Sequence, residues 1–388
     1  TLQPEYSKTL NNLGVIYRQL SESVQAKRYY RYSIFVNPSS ADPFNNLGNI
    51  LANKSNFEDA FLFYRRSILC KPNFADAYYN LGESLKNIGY SNDAISSYRR
   101  SIILRPDYAD PHSNLGKLLL AQGNFAEANY HLRFGKNAED QSFLLRSLYL
   151  QDDVEGFYRQ LNTLIGQNVC NAVVGSLVNQ ANLKFKKTSE NLFCEKPIAH
   201  VLTVNLQQSC DFESVFIKKA KDILNDPRYE DRAQGFLTNG RQTAGNLFKI
   251  DSQNTDIMKA IIFKEVERYR TSFNESQEGL IKNWPDNFDI YAWLISMKSG
   301  GVLKPHMHEN SWISGSIYIN VPPKVEPDSG NLVVCMDNNT RDMGEHRSRS
   351  IDVVTGSMCL FPSSLFHYTI PFESNEDRIV MAFDIVPE

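Results

Sequence analysis

Apolar and polar positions in the first third of the chain repeat with a fixed period of 34 residues. Leu-Gly recurs at Leu13-Gly14, Leu47-Gly48, Leu81-Gly82 and Leu115-Gly116. The same spacing carries Ala26, Ala60, Ala94 and Ala128, then Tyr30, Tyr64 and Tyr98 with Leu132 in the fourth copy, and Pro38, Pro72 and Pro106 between copies. Such a period predicts a solenoid built from one helix pair per copy. Glycine and alanine mark where the paired helices cross closely. Tyrosine and leucine fill the gap between neighbouring pairs, and proline ends the second helix and fixes the turn into the next copy.

These columns resemble the tetratricopeptide repeat over about residues 5–136. One column does not read as packing. Asn12, Asn46, Asn80 and Asn114 each precede a Leu-Gly, and asparagine suits a helix interior poorly because its amide competes with the backbone. In the repeats that these resemble most, those of protein O-linked GlcNAc transferases, this position lines the concave groove. The resemblance implies a ladder of amides that pairs with the backbone of an extended protein or peptide substrate, each amide offering donor and acceptor. The alternative is that the asparagines cap or bridge adjacent helices.

The period fails after residue 136, but helical periodicity continues through Phe143–Leu150, Phe157–Ile165 and Ala172–Phe185. Residues 137–190 read as a helical cap and linker, with the polar Lys186–Ser189 as the boundary. Beyond it come a β-rich run, His200–Asn205, and helical runs at Phe212–Leu224 and Ile257–Arg270. A lone His200 there reads as structural. From Phe288 the pattern becomes short β runs near 289–298, 312–320, 331–336, 350–354, 357–362, 366–371 and 378–386. With one or two strands upstream, this predicts a double-stranded β-helix, a jelly roll. The expected fold class is multi-domain α + β: an N-terminal α-solenoid over 1–136, and a C-terminal jelly roll with flanking helices over 191–388, its core at about 288–388.

Three of the seven histidines stand at informative places in that jelly roll. His306 and His308 are two apart in KPHMHEN, so on extended backbone they project to one side. His367 follows SMCLFPSS, and Arg378 opens the last strand, across an expected hairpin turn at Glu373-Ser374-Asn375. The layout resembles iron(II)/2-oxoglutarate oxygenases, which carry H-x-[D/E], a distal histidine, and then Arg or Lys. The segments from His306 to Tyr318, Gly356 to His367 and Asp377 to Ile379 are similar to one such family over about 288–388. The resemblance implies iron(II) held by His306, His367 and His308. It also implies 2-oxoglutarate anchored on Arg378 by directed donors, and O2 as the oxidant. The outcome would be succinate, carbon dioxide and a hydroxylated product.

Two departures bear on this. A carboxylate is usual where His308 stands, so either His308 is a third neutral ligand or water completes the site. A Ser or Thr is common two residues after the arginine, where this chain has Val380; Tyr318, Ser316 or Ser314 are substitutes, and alternation alone leaves open which face is inward. Asp337 and His346, in the polar segment DNNTRDMGEHRSRS, read as lid or surface.

Composition narrows the function classes. The chain has 388 residues, 42% hydrophobic and 22% charged, with net charge −3, which argues against a general binder of nucleic-acid backbone. No apolar run is long enough to cross a bilayer. The six cysteines lack metal-ribbon or disulfide spacing, which points to a reducing, cytoplasmic setting. The chain opens TLQPEY without Met, as a fragment or processed form does. Two rivals to the peptide hydroxylase stand: a repeat adaptor with a degenerate metal-binding barrel, and an oxygenase acting on a small molecule.

Overall fold

A computed structural model of the chain describes residues 4–135, 137–232, 234–338 and 347–388; His346 therefore lies outside the described residues. The chain forms two compact units, Thr1–Leu161 and Asn162–Glu388.

The first unit opens with four helix pairs: α1 (Pro4–Gln19) with α2 (Ser23–Val36), α3 (Ala41–Ala52) with α4 (Phe57–Cys70), α5 (Ala75–Asn87) with α6 (Ser91–Leu104), and α7 (Ala109–Ala121) with α8 (Phe125–Leu132). The sequence columns act as expected. A Cβ added at Gly48 or Gly82 would lie 2.5 Å from the ring of Tyr64 or Tyr98, so the glycines create the notch that the tyrosines fill. Ala26, Ala60, Ala94 and Ala128 are fully buried. Two further columns emerge. Buried Ser67 and Ser101 donate to the carbonyls of Ala41 and Ala75 at 2.9 and 2.8 Å, tying each second helix to the start of the first. Ser21, Ser55, Gly89 and Gly123, also 34 apart, all have left-handed backbone, with φ of 63°, 59°, 88° and 77°.

The fourth pair encloses two histidines. His112 and His131 are buried with their Nδ1 atoms 2.8 Å apart, and His112 Nε2 lies 3.0 Å from the Pro106 carbonyl. Only one Nδ1 can carry the shared proton. Burial, then the neighbouring imidazole, holds His131 down to about 4, and burial lowers His112. Unfolded, both titrate near 6.5. Between those limits the unfolded chain binds more protons, so stability is present above about pH 6.5 and declines as pH falls toward 4. Hydrogen exchange of α7 and α8, corrected for intrinsic rates, is expected to speed up from pH 7 to pH 5, and His131→Asn to flatten the change. Equal protection at both pH values would show that the pair does not couple to folding.

After α9 (Ala138–Leu150) and α10 (Val154–Gly166), the second unit contains α11 (Ala172–Phe185), which starts on Asn171 accepting from Val174 N at 2.9 Å. Its remaining helices are α12 (Lys219–Asn225), entered through a π-turn over Glu213–Lys218, α13 (Leu247–Ile250), α14 (Ser252–Ser272) and α15 (Gly279–Lys282). The strands are β1 (Leu202–Asn205), β2 (Leu237–Gln242), β3 (Phe288–Leu303), β4 (Ile313–Asn320), β5 (Leu332–Cys335), β6 (Ser348–Ile351), β7 (Ser357–Pro362), β8 (Phe366–Thr369) and β9 (Arg378–Pro387).

All strand pairings are antiparallel. One sheet has the order β1-β7-β4-β9-β3-β2 and the other β6-β5-β8. Alternation assigns the two faces of the large sheet. Ile290, Ala292, Leu294, Ile317, Met381 and Phe383 share one core with Phe216, Met258, Ile262 and Tyr269 of the helical layer. The alternate residues Tyr318, Phe361 and Val380 pack instead with Leu332 and Val334 of the small sheet. The mouth of the jelly roll therefore collects side chains of one parity from β4 and β9.

The hairpin expected at Glu373-Ser374-Asn375 is not formed. β8 pairs with β5 in the small sheet, whereas β9 pairs with β3 and β4 in the large one. The link carries the chain from one sheet to the other, which is what closes the jelly roll.

Candidate functional site

His306 leaves the end of β3 and bridges His367 on β8: His306 N donates to the His367 carbonyl at 3.2 Å, and His367 N to the His306 carbonyl at 2.8 Å. This backbone pair sets the two imidazoles side by side, with ring centroids 4.2 Å apart. His308 completes the group at 5.2 Å from His306 and 4.9 Å from His367. One nitrogen from each ring lies within 4.8 Å of the others, close enough to hold a single ion.

The protonation states suit a metal. Burial, then His308, pushes His306 down to about 4; burial and the other two imidazoles hold His367 well below its ordinary value. These two rings are neutral at pH 7, with lone pairs available. His306 Nδ1 donates to the Lys304 carbonyl at 2.8 Å, leaving Nε2 for a ligand. His367 Nδ1 is buried without a hydrogen-bond partner among the described residues. A trio of imidazoles fits a divalent first-row metal, iron among them. Phe236, half exposed, stacks on His306 at 5.2 Å and 11°.

Arg378 is the largest fully buried side chain of the unit, at 1% exposure. It lines the same cavity as His308, His367, Thr369, Ser316 and Tyr318. Nη1 donates to Thr369 Oγ1 at 3.2 Å, and the guanidinium lies 5.1 Å over the Tyr318 ring. Among the described residues, its Nε and Nη2 have no hydrogen-bond partner. Burial lowers its pKa, yet arginine stays charged in proteins. A buried cation with two orphan donors is costly unless an anion completes it, so the site fits the far carboxylate of a dicarboxylate such as 2-oxoglutarate.

Register answers the question of the missing hydroxyl. Val380 faces the cavity opposite Tyr318, and Ala382 opposite Ser316. Ser316 Oγ donates to the Tyr318 hydroxyl at 3.2 Å. Ser314 is engaged elsewhere, at Asp384 and Ser363 (2.9 and 2.8 Å). The hydroxyl on the arginine comes from Thr369, which sequence reasoning missed. The signal was available: Thr369 is two residues from His367 on one strand and so shares its face.

A second cluster, Cys194, His200 and Glu278, also brings possible ligand atoms together. Its atoms already have protein partners. His200 bonds the Lys196 carbonyl (3.0 Å) and Ser276 Oγ (2.8 Å), and Glu278 accepts from the amides of Glu195 and Lys196 (2.8 and 3.1 Å). Burial pushes the Cys194 thiol far up. His200 is held as a structural residue.

In the first unit, Asn12 is exposed and Asn46, Asn80 and Asn114 are half-buried. Asn46 Nδ2 donates to Asn11 Oδ1 and Asn80 Nδ2 to Asn45 Oδ1, both at 3.0 Å; Asn114 Nδ2 donates to Glu83 Oε1 at 2.7 Å. Each bond reaches the preceding repeat. In all three the amide nitrogen donates, so the amide oxygens are not used by these bridges.

The C-terminal jelly roll matches a 2-oxoglutarate/iron(II) oxygenase family. The match, to the family described as "Putative 2OG-Fe(II) oxygenase", spans residues 291–384 and so includes the three histidines, Arg378 and Thr369. A second match, to "Est1 DNA/RNA binding domain", spans 26–92 within the helix pairs and runs against the expectation of no nucleic acid. No curated protein matches the chain. Similar solved structures include MamA (23% identity, 34% of this chain, 77% of that one, TM-score 0.32) and PilF of Pseudomonas aeruginosa (21%, 47%, 85%, 0.41). Another is YrrB, titled a TPR protein with an unusual peptide-binding site (17%, 40%, 84%, 0.37). The repeat ruler and the helix pairs carry the tetratricopeptide assignment independently. Among the described residues, no helix is long and apolar enough to cross a membrane.

Proposed function

We propose that the protein is an iron(II)- and 2-oxoglutarate-dependent oxygenase that hydroxylates a protein or peptide held by the repeats. The observation that carries the oxygenase reading is a three-imidazole cluster, two of whose rings (His308 and His367) line the same cavity as a buried arginine whose Nε and Nη2 lack partners among the described residues. His306, His308 and His367 would hold the metal, and Arg378, with Thr369 and Tyr318 around it, would orient the keto acid by its far carboxylate. When bound, iron with 2-oxoglutarate and O2 supplies oxidative decarboxylation to succinate and the oxidising equivalent for a C–H bond. The chain's own part is to position these groups and exclude water through the apolar walls of the cavity. Succinate release from 2-oxoglutarate, measured across a peptide library, tests the reading. No succinate under any condition would favour the adaptor, and turnover with small molecules alone would favour the third reading.

The substrate side rests on the asparagine column. Its bridging bonds leave amide oxygens to accept from an extended backbone, each contact worth about 0.5–1.5 kcal/mol. Asn80→Ala with Asn114→Ala is therefore expected to weaken peptide binding about tenfold and to raise KM for the peptide, leaving metal and 2-oxoglutarate binding intact. The lost bridges are offset in part by the better helix propensity of alanine, so melting should shift little. A large drop in melting temperature with unchanged peptide affinity would reduce the column to a bridge between repeats. Competition of the peptide by single-stranded RNA or DNA would favour the nucleic-acid match instead.

A further inference from the structure

Most sites of the kind proposed here use a carboxylate where this chain has His308, and three imidazole ligands would leave a divalent ion without a negative partner. The chain supplies one a step further out. Asp384, on β9, is buried at 8% exposure, and its Oδ1 lies 2.6 Å from His308 Nδ1. The same oxygen accepts from Ser314 Oγ at 2.9 Å, and Ser314 is held in turn by Ser363 Oγ at 2.8 Å. Asp384 sits opposite Ser314 on β4 and opposite Tyr291 on β3, so the carboxylate is fixed by central strands of the large sheet.

We infer that Asp384 is the positioning residue of the metal site, holding His308 through Nδ1 and carrying the negative charge that its imidazole lacks. This rests on the oxygenase-site reading above. An ionised carboxylate only accepts hydrogen bonds, so the contact places the proton on His308 Nδ1 and leaves Nε2 as the ligand atom. It also fixes the ring about its side-chain torsions, as carboxylates behind metal-bound imidazoles do. Ser314 and Ser363 stop Asp384 from swinging to another partner.

The arrangement has a consequence for changing the ligand set. Restoring the commoner pattern with His308→Asp alone would set two carboxylates against each other inside the sheet, with the imidazole N–H that separated them gone. A carboxylate at 308 and one at 384 are alternatives. His308→Asp is thus expected to bind metal worse than His308→Asp with Asp384→Asn.

The test is titration of metal-free protein with Co(II), read by visible absorption, and with Fe(II) by anaerobic calorimetry. Asp384→Asn, which is isosteric, and Asp384→Ala are expected to keep one site per chain and lose about ten- to a hundredfold in affinity. In a His308→Ala background, Asp384→Asn should change the affinity no further, because the carboxylate acts through that ring. A purely structural role would give additive losses, and circular dichroism identifies a variant that has not folded. Wild-type affinity in both Asp384 variants, additive losses, or His308→Asp binding better than the double variant would each overturn the inference and leave the oxygenase reading standing. Absence of any Co(II) or Fe(II) binding by the wild-type protein would overturn both.

Discussion

The wild-type chain is expected to take up a single iron(II), and His306→Ala and His367→Ala are each expected to abolish that binding. The two rings face one another because their backbones form a mutual bridge, with hydrogen bonds of 3.2 and 2.8 Å. Those bonds use main-chain atoms, so alanine retains them and the jelly roll should still close. What is lost is one of three nitrogens within 4.8 Å of each other. Loss of a partner behind a ligand typically costs 10–100-fold in affinity, and loss of the ligand itself should cost on the order of a hundredfold or more. Both rings are buried and neutral at pH 7, His306 down to about 4. Uptake should therefore displace no proton from them near neutrality. The contribution of these two rings should be lost as pH falls toward their depressed values, since protonation removes the lone pair. Anaerobic loading followed by iron analysis measures this. Stoichiometric iron in both variants would end the oxygenase reading.

Much of this site was legible because the residues that build it are spaced by strand geometry. His306 and His308 share a side at a separation of two, and Arg378 begins the run Arg-Ile-Val-Met-Ala, whose alternate members Arg378, Val380 and Ala382 line one cavity. Sequence alternation gives relative faces and leaves the absolute choice to tertiary pairing. That is why Ser314, Ser316 and Tyr318 could be grouped but not assigned. Asp384 was readable in principle, as a carboxylate of the same parity as Arg378, but its partner is 76 residues away. The false hairpin before Arg378 has a similar cause: Glu-Ser-Asn chemistry marks a turn, while the sheet that the chain enters afterwards is a matter of packing. In the repeats, Leu-Gly, Ala and Pro were visible because one residue type recurs. The left-handed column at Ser21, Ser55, Gly89 and Gly123 was hidden because the backbone recurs while the residue changes.

Arg378→Met is expected to raise the dissociation constant for 2-oxoglutarate more than tenfold while leaving iron uptake unchanged. A charge-assisted bond is worth about 1.5–3 kcal/mol, and each 1.4 kcal/mol is tenfold in affinity. The guanidinium offers Nε and Nη2 together, with Nη1 held by Thr369 Oγ1 at 3.2 Å and the plane lying over Tyr318. These neighbours fix the fork, so little side-chain freedom remains to be lost on binding. Arg378→Lys keeps the charge without the fork and should fall between the two. The ligand-free protein should respond in the opposite sense. Its buried cation lacks a full set of partners, and replacing such a group by an apolar side chain of similar length is often neutral or stabilising. Melting of the Met variant without ligand is thus expected to hold or rise, while the upward shift expected of the wild type with 2-oxoglutarate should disappear. Calorimetry and thermal melts, both run with the metal site loaded anaerobically, separate the two effects. Unchanged affinity would mean that the carboxylate anchor lies elsewhere. A collapse of the ligand-free fold would mean that Arg378 serves the packing of β8 against β9 rather than the keto acid.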